Sequence, residues 1–494
     1  MLCCAVTIWR LLIRYKIVCI RRPDIKGIVI AATKSGSGKT TVTLGMMASL
    51  SRRGFNVAPF KVGPDFIDPG FHTGITGMVS RNLDGWMLSK EYNIALFNRT
   101  VKESNADIAV VEGVMGLFDG YDGKSEAGST SQMAKWTGLP VVLVVDARSM
   151  ARSVAPLLQG FERFDPDLNF AGVIFNNLGS QRHLIYLKEA MEGNVAMPCL
   201  GGIMRNQEIS IPERHLGLFT HHDHPLSDAD ITRLADIMDQ SIDMDAFSDS
   251  LFEIEPQSEF SSMTISESPI LEPSSPDPHR VRIGVAKDNA FCFYYQDNLD
   301  ILKSYGAQII FFSPISDDTL PENIDGLYFG GGYPELFAEE LSKNISMQTE
   351  VREKSLDSMP VYGECGGFIY LCREILCKDK KSHSMTGCLP FTTQMLPSLK
   401  ALGYREIKLK KETIIGKPGD VIRGHEFHYS KIVSLPGDTE TFYNVADRAG
   451  ADKTGEGFFT RRTLGSYIHL HFGSSPGAAK EFVDSCYLYK QKRA

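Results

Sequence analysis

The stretch GIVIAATKSGSGKTT, residues 27–41, decides the fold of the first half of the chain. An uninterrupted apolar run leads into a turn with two glycines, and Lys39 and Thr40 then open a helical pattern. This order of strand, turn and helix is that of a P-loop, whose backbone N–H groups and helix N-terminus surround a phosphate. Thr33 stands where the pattern usually has its first glycine. The stretch therefore predicts a nucleotide site with one departure from the pattern.

The nucleotide is expected to contact the turn, the start of the helix and an amide at the end of a later strand that could bind the adenine edge. Lys39 would reach the β- and γ-phosphates, and the Thr40 hydroxyl would ligate Mg²⁺. Lys34 resembles the extra lysine of the partitioning ATPases, which acts across a dimer, but a solvated loop lysine fits equally well. Both interpretations, and with them a homodimer, stay open. The predicted ATP-binding residues are Lys34, Ser35, Gly36, Ser37, Gly38, Lys39, Thr40, Thr41 and Asn176.

Acidic residues follow two other predicted strands. Glu112 ends the apolar run IAVVE, where a buried carboxylate is costly unless it meets a cation, and Mg²⁺ is the natural partner. In KVGPDFIDP, residues 61–69, Lys61 could neutralise a transferring phosphoryl group and Asp65 could bind the metal. The predicted metal ligands are thus Thr40, Glu112 and Asp65, with Mg²⁺ as the cofactor.

A second site is predicted around PVYGECGG, residues 360–367, a short strand that runs into a turn before a helical pattern. This is the layout of a nucleophile elbow with Cys365 as the nucleophile. The helix N-terminus is expected to lower the pKa of its thiol. The backbone N–H groups of Gly331 and Gly332, at the end of another strand, could form an oxyanion hole.

The base for this cysteine is expected from SYIHLH, residues 466–471. Its alternation points His469 and His471 to the same side, so that one of them can meet Cys365. A cysteine with a histidine base suggests acyl transfer through a thioester.

Short β-branched runs alternate with longer helical patterns on both sides of a Ser-, Pro- and Glu-rich stretch, which predicts two parallel α/β domains joined by a linker. We place an N-terminal extension at 1–25, the P-loop domain at 26–247, the linker at 248–279 and the second domain at 280–494. Strands are predicted at 27–33, 56–60, 108–112, 141–147 and 172–176, and then at 282–286, 308–312, 326–329, 361–362 and 466–469.

Composition excludes some partners. The chain has 52 Lys and Arg against 60 Asp and Glu, a formal charge of -8, so no nucleic-acid partner is expected. The 10 cysteines form no CxxC pair, which indicates reduced thiols in the cytoplasm. The apolar start, residues 1–20, is interrupted by Arg10, Arg14 and Lys16. We therefore expect no membrane contact and a disordered extension.

Several long motifs lie in order along the chain: SGSGKTTVTLG, PFKVGPDFIDPGFHTG, SRNLDGWML, EGVMGLFDG, IPERHLGL, GGGYPEL, YGECGGF, GHEFHYS and SYIHLHFG. In these motifs the chain resembles the cobyrinate a,c-diamide synthase family, the glutamine-dependent amidases of the corrin pathway. The resemblance covers residues 26 to 489. It implies a dethiobiotin-synthetase-like P-loop domain that binds ATP, Mg²⁺ and the tetrapyrrole. It also implies a flavodoxin-like class I glutamine amidotransferase domain.

The resemblance also implies roles for single residues. Cys365 aligns with the family's nucleophile and His469 with the base that activates it. His471 occupies the position where many class I domains carry a Glu, so the third member of the triad is missing, and Glu426 or another acid could orient His469. Arg81, in SRNLD, is a candidate contact for the acid groups of the tetrapyrrole, with a structural salt bridge as the alternative.

The implied reaction consumes ATP, L-glutamine and a carboxylate of cobyrinic acid. ATP would convert the carboxylate into an acyl phosphate, and ammonia released at Cys365 would attack it, in two rounds that amidate the a and c acetates. An enclosed path would shield the ammonia from water. The alternatives are Ni-sirohydrochlorin as the ring, cobyric acid synthesis on other corrin acids, and a partitioning-type nucleotide switch without glutaminase activity.

Overall fold

The computed structural model describes residues 26–205, 226–253, 280–433 and 439–493. They form two α/β domains, as predicted, and each is built around a sheet that is covered on both faces. The predicted extension at 1–25, the linker beyond residue 253 and the IPERHLGL motif lie outside the described residues. Within the described part of the chain, no helix is long and apolar enough to cross a membrane.

The first domain alternates strands and helices along the chain. Its strands are β1 (Lys26–Ala32), β2 (Val57–Val62), β3 (Arg81–Leu83), β4 (Ile108–Glu112), β5 (Val141–Asp146), β6 (Phe170–Leu178), β7 (Cys199–Met204) and β8 (Phe252–Glu253). Its helices are α1 (Lys39–Arg52), α2 (Ile67–Thr76), α3 (Lys90–Glu103), α4 (Thr130–Thr137), α5 (Val154–Phe164), α6 (Gln181–Met191), α7 (Asp228–Ser241) and α8 (Met244–Asp249).

The strands of this domain form one sheet in the order β3-β2-β4-β1-β5-β6-β7, in which every pair is parallel. The near-continuous apolar runs suit it, because successive residues face opposite sides: Val29 lies in one core and Ile28 in the other. The carboxyl ends of β1, β2 and β4 therefore meet at one edge, where ligands of open sheets bind. Sequence analysis missed β3, β7 and β8, which are very short or contain glycines.

The end of the first domain differs from the predicted boundary at residue 247. That boundary falls inside α8, and β8 then pairs antiparallel with the start of β1. The domain thus extends to residue 253.

The second domain contains more strands than expected. They are β9 (Val281–Ala286), β10 (Ala307–Phe312), β11 (Gly326–Phe329), β12 (Val361–Glu364), β13 (Glu374–Leu376), β14 (Ser382–Ser384), β15 (Thr392–Met395), β16 (Ala401–Leu409), β17 (Val421–His428), β18 (Ser430–Ile432), β19 (Tyr443–Asp447), β20 (Asp452–Glu456), β21 (Phe458–Thr460), β22 (Thr463–Ser466) and β23 (Ile468–Leu470). The helices are α9 (Gln296–Ser304), α10 (Ala338–Lys343), α11 (Ile345–Leu356), α12 (Gly366–Leu371) and α13 (Pro476–Arg493), with a short 3₁₀ helix at Phe472–Ser474.

The main sheet of this domain has the order β10-β9-β11-β12-β22-β21, parallel except for β21. Its first four strands follow the flavodoxin-like order. Two smaller sheets, β14-β13-β15-β18 and β20-β19-β16-β17-β23, were not predicted. Much of β16 is only partly buried, so its pattern lacks the apolar run of a covered strand.

The strand predicted at 466–469 is in fact two strands in different sheets. β22 ends at Ser466 in the main sheet, and β23 starts at Ile468 and pairs with β17. His469 lies on β23, whereas His471 lies beyond its end and packs 4.5 Å from the Tyr295 ring, between ring centroids. The alternation expected over residues 466–471 is therefore interrupted, because the chain changes sheet between Ser466 and Ile468 and β23 ends before His471.

Arg81 joins the two domains through ion pairs. Its guanidinium donates to Asp297 at 2.8 Å and to Asp300 at 2.6 Å, both on α9. Arg99 lies 3.5 Å from the same Asp297 carboxylate, whose side chain is 2% exposed. The salt bridge given as the alternative for Arg81 is therefore present, and a contact with the tetrapyrrole stays a prediction.

Replacing Arg81 with Met is expected to destabilise the protein, because Asp297 would stay buried with only the more distant Arg99. Loss of one partner of a buried ion pair costs about 3 kcal/mol, which urea unfolding would measure. Lys480→Met breaks the exposed pair with Asp484 and serves as the control, with an expected loss below about 1 kcal/mol. Equal losses in the two variants would contradict the buried-pair interpretation.

Candidate active site

The P-loop joins β1 to α1 through glycines with left-handed backbone. Gly36 and Gly38 have φ angles of +78° and +89°. A Cβ on Gly38 would lie 2.0 Å from Nδ2 of Asn176. Both this collision and the left-handed backbone therefore exclude a side chain at this position. The Asn176 amide donates to the Ser37 carbonyl at 3.0 Å. Asn176 thus holds the P-loop backbone, and its contact with adenine stays a prediction.

A buried carboxylate at the tip of β4 brings together four side chains. Oε1 of Glu112 accepts hydrogen bonds from the Thr40 hydroxyl at 2.7 Å and from the Lys61 ammonium at 3.0 Å. Nζ of Lys39 lies 3.4 Å from the same oxygen, and Nε2 of His72 lies 2.7 Å from Oε2. The predicted cation next to Glu112 is thus supplied, in this structure, by two lysines of the protein.

The charges in this cluster stabilise one another. Burial would raise the pKa of Glu112, but Lys61 and Lys39 hold it well below its usual value. Burial would lower the pKa of Lys61, but Asp68, at 2.6 Å, and Glu112 raise it overall. Burial and the nearby charges of Asp65 and Glu112 raise the pKa of Asp68 to about 6. Glu112 is therefore ionised and Lys61 protonated at neutral pH.

The oxygen donors of this cluster fit a hard cation. The Thr40 hydroxyl and the Glu112 carboxylate are hydrogen-bonded to each other, and Asp65 adds a carboxylate whose Oδ1 accepts from the backbone of Ile67. The Lys61 ammonium already lies against the Glu112 carboxylate, which shows that the place suits positive charge. No group of three or more His, Cys, Asp or Glu side chains in the described ranges could hold a metal without further ligands. The set thus suits Mg²⁺ that also binds phosphate oxygens.

Cys365 lies in a strained turn between β12 and α12, with φ of +46° and ψ of -99°. A non-glycine residue in this conformation is rare and marks a constrained position, as an elbow requires. Burial, followed by the charge of Glu335, raises the pKa of the thiol, and the N–H of Gly366 only partly opposes this. The expected lowering of the thiol pKa is therefore wrong for the resting structure, because burial outweighs the helix N-terminus.

One of the two N–H groups predicted for the oxyanion hole takes part in a backbone pairing. The N–H of Gly331 donates to the Phe293 carbonyl at 3.1 Å, and the N–H of Phe293 donates to the Gly331 carbonyl at 3.0 Å. Gly331 cannot offer this N–H to an oxyanion without breaking the pair. Gly332 lies in the cavity wall beside Cys365 and keeps its candidate role.

His469 is one of three imidazoles that line the same cavity as Cys365. Its ring stacks on that of His425 at a centroid distance of 4.9 Å, and His428 lines the same cavity. Burial and these two neighbours hold the pKa of His469 well below its usual value, so it is neutral and able to accept a proton. Glu426 contacts His428 at 2.8 Å and Arg405 at 2.7 Å. Glu426 therefore orients His428 and not His469.

One cavity of about 800 Å³ connects the phosphate site with the thiol site. Phe66, in the loop after β2, lies on its wall at centroid distances of 5.3 Å from Phe293 and 5.2 Å from His469. The predicted site residues Glu112, Ser37, Asn176 and Gly331 do not line this cavity. The predicted site residues that line the cavity are Lys34, Ser35, Gly36, Gly38, Lys39, Thr40, Thr41, Lys61, Asp65, Gly332, Cys365 and His469.

Sequence reasoning gave no role to Asp68, His72, His425 or His428. Asp68 and His72 are four residues apart on α2, which places both on the helix face towards Glu112. This spacing could have indicated from the sequence that they belong to the site. His425 lies opposite His469 in the pairing of β17 with β23, which no local pattern indicates.

Protein-family models match each of the two domains. Residues 28–219 match the family model for the CobQ/CobB/MinD/ParA nucleotide binding domain. Residues 282–477 match the family model for the CobB/CobQ-like glutamine amidotransferase domain. The two matches fall on the two domains described above.

Relatives cover nearly the whole chain. A protein of Syntrophotalea carbinolica named cobyrinate a,c-diamide synthase is 44% identical over 461 residues, which is 93% of this chain and 98% of that protein. One of Leptospira interrogans with the same name is 41% identical over 463 residues, 94% of this chain and 98% of its own. A third, of Methanosarcina acetivorans and named likewise, is 40% identical over 494 residues, covering 95% and 97%.

The P-loop geometry predicts different effects for two matched substitutions. Gly36→Ala meets no atom within 4 Å, so only the backbone conformation costs about 1 kcal/mol, or about fivefold in ATP affinity. Gly38→Ala also collides with Asn176, and we expect at least a further tenfold loss. Calorimetric titration with ATP and Mg²⁺ measures both affinities. Equal losses would show that the contact with Asn176 does not constrain the loop.

Proposed function

The chain belongs to the cobyrinate a,c-diamide synthase family of glutamine-dependent amide ligases, and we propose that it amidates the a and c acetate groups of cobyrinic acid, using ATP and L-glutamine. The observation that carries the proposal is the single cavity with the P-loop at one end and Cys365 at the other. A reaction that needs an activated acid in one place and ammonia from the other requires this arrangement.

The nucleotide end of the cavity would activate the acid. A carboxylate is a poor electrophile at neutral pH, and transfer of the γ-phosphoryl group of ATP gives it a leaving group. Lys39 and Lys61 lie where they would stabilise the negative charge of the transferring group. Mg²⁺, when bound by Thr40, Glu112 and Asp65, would neutralise phosphate oxygens. Apolar side chains of the same wall, among them Phe71 and Met115, would contact the ring of the tetrapyrrole.

The thiol end would release ammonia. His469 takes the proton of Cys365, and the thiolate attacks the amide carbon of glutamine, which gives a thioester and ammonia. Water then hydrolyses the thioester to glutamate and restores the thiol. The N–H of Gly332 would stabilise the oxyanion. The raised pKa of the resting thiol supports this order, because the thiolate forms only with a base and a substrate at hand.

Ammonia would pass between the two ends along the wall formed by Phe66 and Phe293. These stacked rings line the cavity, and the Phe66 ring also packs against His469. An apolar passage favours the neutral, reactive form of ammonia over ammonium, because an unpaired ion is costly to remove from water.

Names of the relatives favour cobyrinic acid over Ni-sirohydrochlorin as the ring. The glutamine amidotransferase domain argues against a partitioning-type switch, which would have no use for it. The cysteines of the described part are free thiols, which supports the expectation of the cytoplasm as the compartment.

The protein is incubated with ATP, Mg²⁺ and glutamine and with either cobyrinic acid or Ni-sirohydrochlorin. We expect two carboxylic acids of cobyrinic acid to be converted into amides. Mass spectrometry reads each step as the exchange of a hydroxyl for an amino group. Cys365→Ser is expected to abolish the reaction with glutamine and to keep the reaction with added ammonium salt, because only the thiol step is removed. Amidation of Ni-sirohydrochlorin alone, or glutaminase activity in Cys365→Ser, would refute the proposal.

Phe66→Ala is expected to let ammonia escape, because it removes an apolar ring from the wall of the passage. The ratio of glutamate to new amide should be close to one in the parent and should rise at least about twofold in the variant. Phe118→Ala removes an equally half-buried ring that packs on Phe161, outside the cavity, and should leave the ratio unchanged. Full mixing of ¹⁵N-labelled ammonium into the product of the parent would contradict a shielded passage.

A further inference from the structure

The structure assigns to Glu364 the role of the carboxylate that orients the catalytic imidazole, a positioning residue for His469. This inference rests on the proposed glutaminase function of Cys365 and His469. Glu364 is the last residue of β12 and directly precedes the nucleophile in the chain. It would replace the acid that is missing because His471 stands in its position.

The first observation is an imidazole nitrogen without a partner. Nδ1 of His469 is buried and forms no hydrogen bond with the described residues. A buried polar atom in this state is uncommon and calls for an explanation. The acidic oxygen Oε2 of Glu364 lies 4.0 Å from it, and both side chains are 2% exposed. A shift of roughly 1 Å would bring the two atoms to hydrogen-bond distance.

The second observation is that the Glu364 carboxylate is held in place from three strands. Oε1 accepts hydrogen bonds from the Tyr362 hydroxyl at 2.6 Å and from the backbone N–H of Leu470 at 3.0 Å. Oε2 accepts from the Tyr328 hydroxyl at 3.0 Å. A carboxylate oxygen accepts more than one hydrogen bond, so Oε2 retains capacity for the imidazole. The Leu470 contact also ties the carboxylate to the residue next to His469.

Other candidate groups are engaged elsewhere. Glu426 contacts His428 and Arg405, as described above. His471 accepts from the N–H of Gly473 at 3.1 Å and packs against Tyr295 at the domain boundary. Of the described carboxylates, Glu364 alone forms a close ionic contact with His469.

The chemistry follows from this placement. With Nδ1–H donating to Glu364, Nε2 of His469 carries the free electron pair that accepts the thiol proton of Cys365. The thiolate then forms its bond to the amide carbon, and His469 returns the proton to the departing nitrogen, which leaves as ammonia. During this step the imidazolium is stabilised by the Glu364 carboxylate, which is needed because its site is buried. Catalytic hydrogen bonds are often long before substrate binds and shorten in the complex.

Glu364→Gln keeps the shape of the side chain and removes its charge. We expect the kcat of glutamine hydrolysis to fall about 100-fold, with the KM for glutamine within about twofold of the parent. Amidation with added ammonium salt should stay unchanged, since it bypasses the thiol site. A side chain that served only the fold would reduce both reactions together.

Glu456→Gln is the matched control. Glu456 is another desolvated carboxylate of the same domain, and it accepts from the N–H of Tyr467 at 2.8 Å and from the Ser466 hydroxyl. Its substitution should change the kcat of glutamine hydrolysis less than about threefold, because it does not contact His469.

The outcomes separate this inference from the function on which it rests. Unchanged glutaminase activity in Glu364→Gln, with an inactive Cys365→Ser, overturns the role of Glu364 and leaves the glutaminase site standing. Loss of the ammonium-dependent reaction in Glu364→Gln marks a structural role and also overturns it. Glutaminase activity in Cys365→Ser would overturn the proposed function itself.

Discussion

The buried carboxylate of Glu112 is the interaction on which the first site depends. It is ionised in the core of the molecule only because Lys39 and Lys61 compensate its charge, and these lysines need it in return. The Thr40 hydroxyl and the His72 imidazole complete its hydrogen bonds. One carboxylate at the end of a central strand thus orients two side chains of the P-loop, the Lys39 ammonium and the Thr40 hydroxyl.

The loop after β2 connects the Glu112 cluster with the second domain. Within six residues, the end of β2 and this loop contain Lys61, which contacts Glu112, and Phe66, which packs against His469. Asp65 lies between them on the cavity wall. The two chemical sites are therefore close because one short segment contributes to both, and the salt bridges of Arg81 hold the same faces together.

The parts that could be predicted from the sequence are those that depend on local order. The P-loop and the elbow of Cys365 directly follow a strand, and Glu112 is the last residue of one. The edge of a parallel sheet brings such strand ends together. Arg81 could not be assigned, because its partner Asp297 is 216 residues away. The pKa of Cys365 and the engaged N–H of Gly331 depend on burial and on pairing with distant segments. The two smaller sheets could not be predicted because half-exposed strands lack a continuous apolar pattern.

Tyr295 belongs to the second domain in sequence but packs within an apolar core of the first. A ribosome completes the first domain before it translates this residue. Until the second domain is made, the space beside Met87 lacks the Tyr295 ring, and Arg81 lacks its partner Asp297 and stays hydrated. Translation therefore sets the order of folding. The core of the first domain is complete only after the second domain supplies the Tyr295 ring.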